Sequence, residues 1–313
     1  MNISRRMLLG LSGYALAGGL ASVKPAAAQE MKALHLLTSL GKPSIIWTTF
    51  DLLRPALQQE LKGEVVAETI AGHDGLDALH QLLQAAPDEP RLFGAALMAT
   101  QYAWRTIKGE AHLEDLMPIA KVTNGFSLTL FAKRGGALKN WTDIGAAAKP
   151  LKASSTQRHT AAYLALLIAE RKGGLAPEVT LRETIGEVID DVTAGRSALG
   201  VANTTLVLMK LGELQPIVSF GAQRNALLGG TPTFAEVTGN AKLAFTESIG
   251  VLASPKLAPD LAAQLTQAFL AVGQDGDVQA QAEAANIPLA VNGPEVLVET
   301  MKRNGRVLDR VLG

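Results

Sequence analysis

The chain of 313 residues contains no cysteine. That absence excludes a disulfide framework, a lipoprotein anchor, thiolate metal sites and Cys-ligated iron–sulfur clusters. Aromatic residues are scarce, at 4%. Net charge is lacking too: 29 basic residues balance 29 acidic ones, so there is no basic excess of the kind that marks a nucleic-acid binder. Neither a His-x-x-x-His metal pattern nor a Gly-x-Ser-x-Gly nucleophile elbow occurs. No tandem repeat and no low-complexity segment interrupts the chain. What it does have is 48% apolar residues, enough for the cores of one large or two smaller α/β units.

The first residues read as an export signal. Ser4-Arg5-Arg6-Met7-Leu8-Leu9 is a twin-arginine pattern, and a modestly apolar, glycine-containing run follows to about Val23. Lys24 then precedes Ala26-Ala27-Ala28, an Ala-x-Ala type cleavage site before Gln29. The run is too short and too rich in glycine for a good spanning helix. Removing residues 1–28 leaves 26 basic and 29 acidic residues, a net charge of −3, on an exported, periplasmic chain.

Beyond the leader, strands and helices alternate. Strand patterns fall at Leu34–Thr38, Glu64–Ile70, Arg91–Leu97, Leu116–Val122, Ser127–Lys133, Val179–Thr184, Leu199–Ala202, Leu214–Phe220 and Ser248–Ala253. Helical patterns fall at Ile45–Leu61, Leu76–Gln84, Thr100–Lys108, Trp141–Ala147, Ala161–Glu170, Gly186–Ala194, Thr204–Leu211, Phe234–Val237, Pro259–Val272, Val278–Ala285 and Glu295–Leu312. This rhythm predicts a parallel sheet with helices on both faces. Ser127–Lys133 and Ser248–Ala253 are candidates for two strands carrying the chain out to an inserted lobe and back, around a hinged cleft. A single continuous sheet is the competing reading.

The stretch Leu151–Thr160 is the most informative. It reads as the end of a strand, a polar elbow and the first turn of the helix from Ala161. A helix start leaves backbone N–H groups without intrahelical partners and carries partial positive charge. The Ser154, Ser155 and Thr156 hydroxyls, with Arg158 and His159, would make such a start a cup for a carboxylate. The competing reading is plain helix capping beside solvated side chains. Arg158 reads either as a two-pronged carboxylate anchor or as a surface arginine. His159 reads as exposed, and Trp47 either stacks on a planar ligand or packs in a core. His73 and Asp74 fall short of the three or four converging ligands that a metal needs. His112, Asp115 and Ser154 are triad residue types that nothing in the sequence brings together. Asp190-Asp191 sits on a helix expected to face solvent in part, a weak basis for paired-carboxylate catalysis. No cofactor is expected.

Taken in order, several short motifs resemble the substrate-binding proteins of tripartite tricarboxylate transporters, the Bug family. Thr231-Pro232-Thr233-Phe234-Ala235-Glu236-Val237-Thr238-Gly239 is similar to that family's Pro-Thr-x-x-Glu-x-Gly stretch and follows an arginine-bearing loop, Gln223-Arg224-Asn225. Asp115-Leu116-Met117-Pro118-Ile119-Ala120 resembles the segment before its first crossing strand. Ser248–Pro255 resembles the second crossing strand and the proline after it, and Asn286-Ile287-Pro288 breaks the final helices as in the family.

The resemblance implies a type II periplasmic binding-protein fold, with two α/β lobes joined by two crossing strands. Residues 29–126 and 249–313 would form the first lobe and residues 127–248 the second. It further implies a periplasmic solute-binding protein, not an enzyme, that works as a monomer. Such a protein captures a small anionic metabolite and presents it to membrane transporter subunits or a sensor. The ligand would lie between the loop after the first strand, here with Ser39, Ser44, Trp47 and Thr48, and the elbow with Ser154, Ser155, Thr156, Arg158 and His159. Other readings are an exported enzyme on the same scaffold, or a degenerate binding protein that docks or senses.

The departures fall in the pocket. Bulky Ile45, Ile46 and Trp47 stand near where the family has a Pro-Pro-Gly-Gly run. Thr156, Gln157, Arg158 and His159 replace the glycines of its Ser-Ser-Gly-x-Gly-Ser elbow. Gly72-His73-Asp74-Gly75 replaces Gly-Ala-Gly-Gly, and the aspartate expected near Gly195 is missing from Arg196-Ser197-Ala198. Losing glycine removes close backbone approach, which implies a remodelled pocket.

Overall fold

The computed structural model describes residues 32–42, 44–106 and 112–312. The export leader lies outside the described residues, as does the stretch up to Lys108 at the end of one expected helix. Eleven strands alternate with helices among the described residues. The first part of the chain runs β1 (Leu34–Thr38), α1 (Ile45–Leu61), β2 (Val65–Thr69), α2 (Leu76–Gln84), β3 (Arg91–Ala96), α3 (Leu97–Thr106) and β4 (Met117–Thr123). The middle runs β5 (Leu128–Lys133), α4 (Trp141–Ala146), β6 (Leu151–Ser155), α5 (Ala161–Gly173), β7 (Pro177–Leu181), α6 (Ile185–Thr193), β8 (Leu199–Asn203), α7 (Thr204–Met209), β9 (Leu214–Ser219) and α8 (Phe234–Thr238). The end runs β10 (Ile249–Ala253), α9 (Pro259–Gln274), α10 (Gly276–Ala284), β11 (Leu289–Asn292) and α11 (Pro294–Leu312).

The strands form two sheets, ordered β11-β4-β10-β3-β1-β2 and β7-β6-β8-β5-β9. Each contains a parallel trio, β3-β1-β2 in the first and β7-β6-β8 in the second. The expected all-parallel pairing is corrected by the rest. β10 runs antiparallel to both β3 and β4, and β5 antiparallel to both β8 and β9. The reason is connectivity: β5 and β10 each arrive from the other sheet rather than by a helix crossover within their own, and each inserts between two strands of the opposite sense. β11 was hidden in the sequence, where its residues read as a break between helices. Leu289 and Val291 are buried and alternate with half-buried neighbours, enough to add an edge strand to β4. The strand expected over Val179–Thr184 sits earlier, at Pro177–Leu181, because Thr184 leaves the sheet to cap α6.

Helix α1 shows how the first core forms. Ile46, Phe50, Leu53, Leu57 and Leu61 recur at spacings of three and four and are all buried. The helix presses so closely on β3 that a Cβ at Gly94 would lie 2.4 Å from Phe50 Cζ. The Thr233-Phe234-Ala235-Glu236 motif is a capping box, with each side chain satisfying the other's backbone N–H. Arg224 Nε donates to both Glu236 carboxylate oxygens, at 2.9 and 3.0 Å, and ties the arginine-bearing loop to that helix start. No helix among the described residues is long and apolar enough to cross a membrane.

The chain passes from β4 to β5 through residues 124–127 and returns toward β10 through residues 244–248. The passages run antiparallel and bond each other: Phe126 N donates to Glu247 O at 2.7 Å, and Glu247 N donates to Phe126 O at 2.9 Å.

Candidate functional site

Between the two sheets, at the carboxyl ends of their parallel strands, lies a cavity of about 90 Å³. Leu40 and Gly41 reach it after β1, Ala96 at the end of β3, Thr156 after β6, Glu183 after β7, and Ala202 and Asn203 at the end of β8. The carboxyl end of parallel strands is where open α/β sheets present their ligand crevices. Three helices of nine or more residues begin on its wall. Ser44, Ile45 and Ile46 open α1, Thr160, Ala161 and Ala162 open α5, and Thr184 and Ile185 open α6. The cap hydroxyls of Ser44, Thr160 and Thr184 accept from Trp47 N, Tyr163 N and Glu187 N. First-turn N–H groups ahead of those have no acceptor inside a helix, and the aligned dipoles put partial positive charge at the same end. Those helix starts supply positive character without a cation: the lining holds no Arg, Lys or His, and its one charged residue is Glu183.

Most of the wall is aliphatic or aromatic, including Leu40, Ile45, Ile46, Phe126, Leu128, Ile185 and Leu206. Polar groups are few and mostly engaged. Thr160 Oγ1 donates to Gln157 O at 2.7 Å, so the Thr156 hydroxyl, 2.8 Å away, is the donor in that pair. Asn203 differs. Its Oδ1 accepts from Thr205 N at 2.8 Å, which fixes the amide orientation, while its buried Nδ2 finds no partner among the described residues.

The sequence-predicted residues divide by position. Ser44 and Thr156 line this cavity. Ser39 and His159 form a bridge between the two halves of the crevice, with Ser39 Oγ and His159 Nε2 2.8 Å apart. The expected exposure of His159 is corrected: it is buried, because the turn at Gly75 covers it. Gly75 has φ +89°, and a Cβ there would stand 3.4 Å from Ser39 Cβ and 3.6 Å from His159 Cδ2. Thr48 is exposed, donates to Ser44 O, and borders a neighbouring cavity of about 370 Å³ shared with Ser44, Ile45 and Asn203. Trp47 lies outside both walls with Lys42 Nζ 5.3 Å from its ring centre, so Ile46 rather than Trp47 shapes the cavity.

Ser154 and Ser155 point to opposite sides of β6, as neighbours on a strand must. Ser154 Oγ donates to Asp191 Oδ2 at 2.9 Å, away from the crevice. Ser155 is fully buried, and its Oγ has no partner among the described residues. Arg158 is exposed and does not line the cavity. Its charge bears on Tyr102 of α3, whose phenol burial raises above its usual value against the pull of Arg171 and Arg158.

Two charged groups were misjudged or missed in the sequence. Asp191, expected near solvent, is buried; Arg182 Nε donates to it at 2.6 Å and Arg196 Nε at 2.7 Å. Hydrogen bonds from Arg182 hold its carboxyl down at about 2, against the cost of burial. Glu247, on the returning passage, is fully buried at the start of α3. Met98 N, Ala99 N and Ser248 N donate to its carboxylate at 3.0, 2.9 and 2.9 Å. Burial still prevails over these bonds and pushes the carboxyl up to about 7. A lone acid between Phe245 and Ile249 was the signal for it. For Asn203 the signal was its place just before the helix at Thr204. Among the described residues no group of three or more His, Cys, Asp and Glu could hold a metal.

No family model matches the chain, and no curated protein does. Solved structures do. The periplasmic binding protein BugD superposes with a TM-score of 0.78 at 15% identity, over 90% of this chain and 97% of its own. MatC from Rhodopseudomonas palustris, with bound malate, also reaches 0.78, at 17% identity over 90% and 99% of the two chains. An R. palustris protein with adipate reaches 0.76, at 14% identity over 89% and 96%. The chain therefore has the two-sheet α/β fold of periplasmic binding proteins.

Proposed function

We propose that this chain is an exported solute-binding protein. It captures a small carboxylate-bearing metabolite between two lobes, residues 29–126 with 249–313 and residues 127–248, and hands it to the membrane subunits of a tripartite tricarboxylate-type transporter. The observation that carries this reading is the convergence of the α1, α5 and α6 starts on one cavity. Unpaired first-turn N–H groups and aligned dipoles favour a carboxylate there in a water-poor setting. Ser44, Thr156, Thr160 and Thr184 supply the surrounding hydroxyls. Two structural neighbours hold malate and adipate, which points the same way. A protein of this kind is periplasmic and monomeric and performs no chemistry on its ligand. The antiparallel passages at Phe126 and Glu247 are the natural hinge.

The test is ligand-induced stabilisation. Carboxylates screened against the purified chain by thermal shift are expected to include at least one that raises Tm in a saturable way, since ligand that binds only the native state stabilises it. A panel of mono- and dicarboxylates without any such member would overturn the reading, as would turnover of the stabilising compound.

A further inference from the structure

We propose that the preferred ligand is a small, largely apolar monocarboxylate, and that Asn203 Nδ2 is the side-chain donor that selects it. The proposal rests on the reading of the cavity as a carboxylate site and narrows it.

The first ground is the wall. A second carboxylate would need its own charge partners or water once enclosed, because an unpaired buried charge is far costlier than a buried methylene. The lining offers it no cation. Beside the helix starts it presents Phe126, Leu128 and Leu206. Glu183, at the same wall, is exposed and of the wrong sign for a dicarboxylate's far end. An aliphatic or small aromatic body would instead fill this space with dispersion contacts. The volume, about 90 Å³, limits that body to a short chain or a compact branch. It is smaller than the roughly 150 Å³ apolar cavities that take up benzene.

The second ground is Asn203. The residue is 9% exposed, and Nδ2 is buried without a partner among the described residues. Leaving a buried amide donor unpaired is unfavourable, so such groups tend to mark a place where another acceptor belongs. Asn203 also borders both the neighbouring cavity next to α1 and a third one beside Phe126, at the seam where the two sheets face each other. It therefore reaches the cavity from the second sheet's side, across from the α1 start of the first. A carboxylate oxygen accepting from Nδ2 would satisfy the amide and leave the hydrocarbon end against the apolar wall.

The experiment uses the chain without its leader, with butyrate, 3-methylbutanoate and hexanoate on one side and malate, succinate and adipate on the other. Thermal shift and calorimetry read binding. Asn203→Asp keeps an oxygen to cap Thr205 N and replaces the free donor with a like-charged acceptor. The expected result is a Tm rise of a few degrees with at least one apolar monocarboxylate at saturation. Dicarboxylates would bind at least tenfold more weakly, and Asn203→Asp would lose the monocarboxylate binding. Equal or tighter binding of a dicarboxylate overturns the inference and leaves the carboxylate-site reading standing. Undiminished monocarboxylate binding by Asn203→Asp overturns the role of Asn203. No binding by either group overturns both. The ranking on the unsubstituted chain decides the ligand class even if the variant does not fold, and Asn203→Ser, which keeps a capping oxygen, then tests the donor.

Discussion

Replacing Glu247 with glutamine should change how stability depends on pH. The carboxyl is fully buried and stands at about 7, above its ordinary 4.5. Between those values the native chain retains a proton that the unfolded chain has released. The stability associated with Glu247 is therefore fully present below 4.5 and is lost as pH rises through about 7. The gap amounts to about 3 kcal/mol. Glutamine cannot ionise, so the variant should lack this slope. It keeps an oxygen for Met98 N and Ser248 N, which share Oε1, and sets its NH2 against Ala99 N–H, which now meets Oε2. That mismatch costs about 1–3 kcal/mol. Glu247→Gln should thus be the less stable chain at pH 5 and come level with the parent near pH 8. Urea unfolding at pH 5, 6, 7 and 8, with m-values compared, measures it. Every other residue is common to both chains, so the difference between the curves isolates position 247. Parallel curves across this window would show that the burial argument is wrong.

The opposite sign applies at Asp191, whose carboxyl is held at about 2, below its ordinary 3.8. Its contribution is present above 3.8 and lost as pH falls through 2, so Asp191→Asn should be destabilised at neutral pH and show a shallower acid limb in thermal unfolding. Gly250→Ala should cost about 1–3 kcal/mol in urea unfolding, the usual range for overpacking, because its Cβ would fall 2.4 Å from Leu97 Cδ2 and 2.8 Å from Leu297 Cδ1. Ser39→Ala removes the bridge to His159 and should raise the radius of gyration of the unliganded protein in X-ray scattering. Unchanged scattering would mean that the bridge does not hold the two sides together.

Much of the architecture was readable because it is local. Helix α1 follows from the spacing of Ile46, Phe50, Leu53, Leu57 and Leu61, with Ser44 as its cap, and its ends match the sequence reading. The Thr233–Glu236 capping box is likewise local, closed within three residues. Strand order was not readable in this way. β10 enters the first sheet from far along the chain, and its antiparallel sense is set by pairing with β3 and β4 rather than by its own residues. The site was half legible. The elbow after β6 does begin a helix at the crevice, and Ser44 and Thr156 do line it. Which way each elbow side chain turns depends on partners elsewhere: Asp191 draws Ser154 to the far face, and Ser39 draws in His159. Asn203 carries no sequence mark beyond that of an ordinary cap.

The place of β10 between β3 and β4 also bears on how the polypeptide is made. A ribosome has already delivered every strand of the five-stranded layer, through Ser219, before Ile249 emerges. That later-numbered layer is able to finish first. The earliest strands wait with bare edges at β3 and β4, which are aggregation-prone templates until their late partner arrives. The oldest part of each nascent molecule is thus the last to be sealed, and it is there that a holding chaperone would have most to protect.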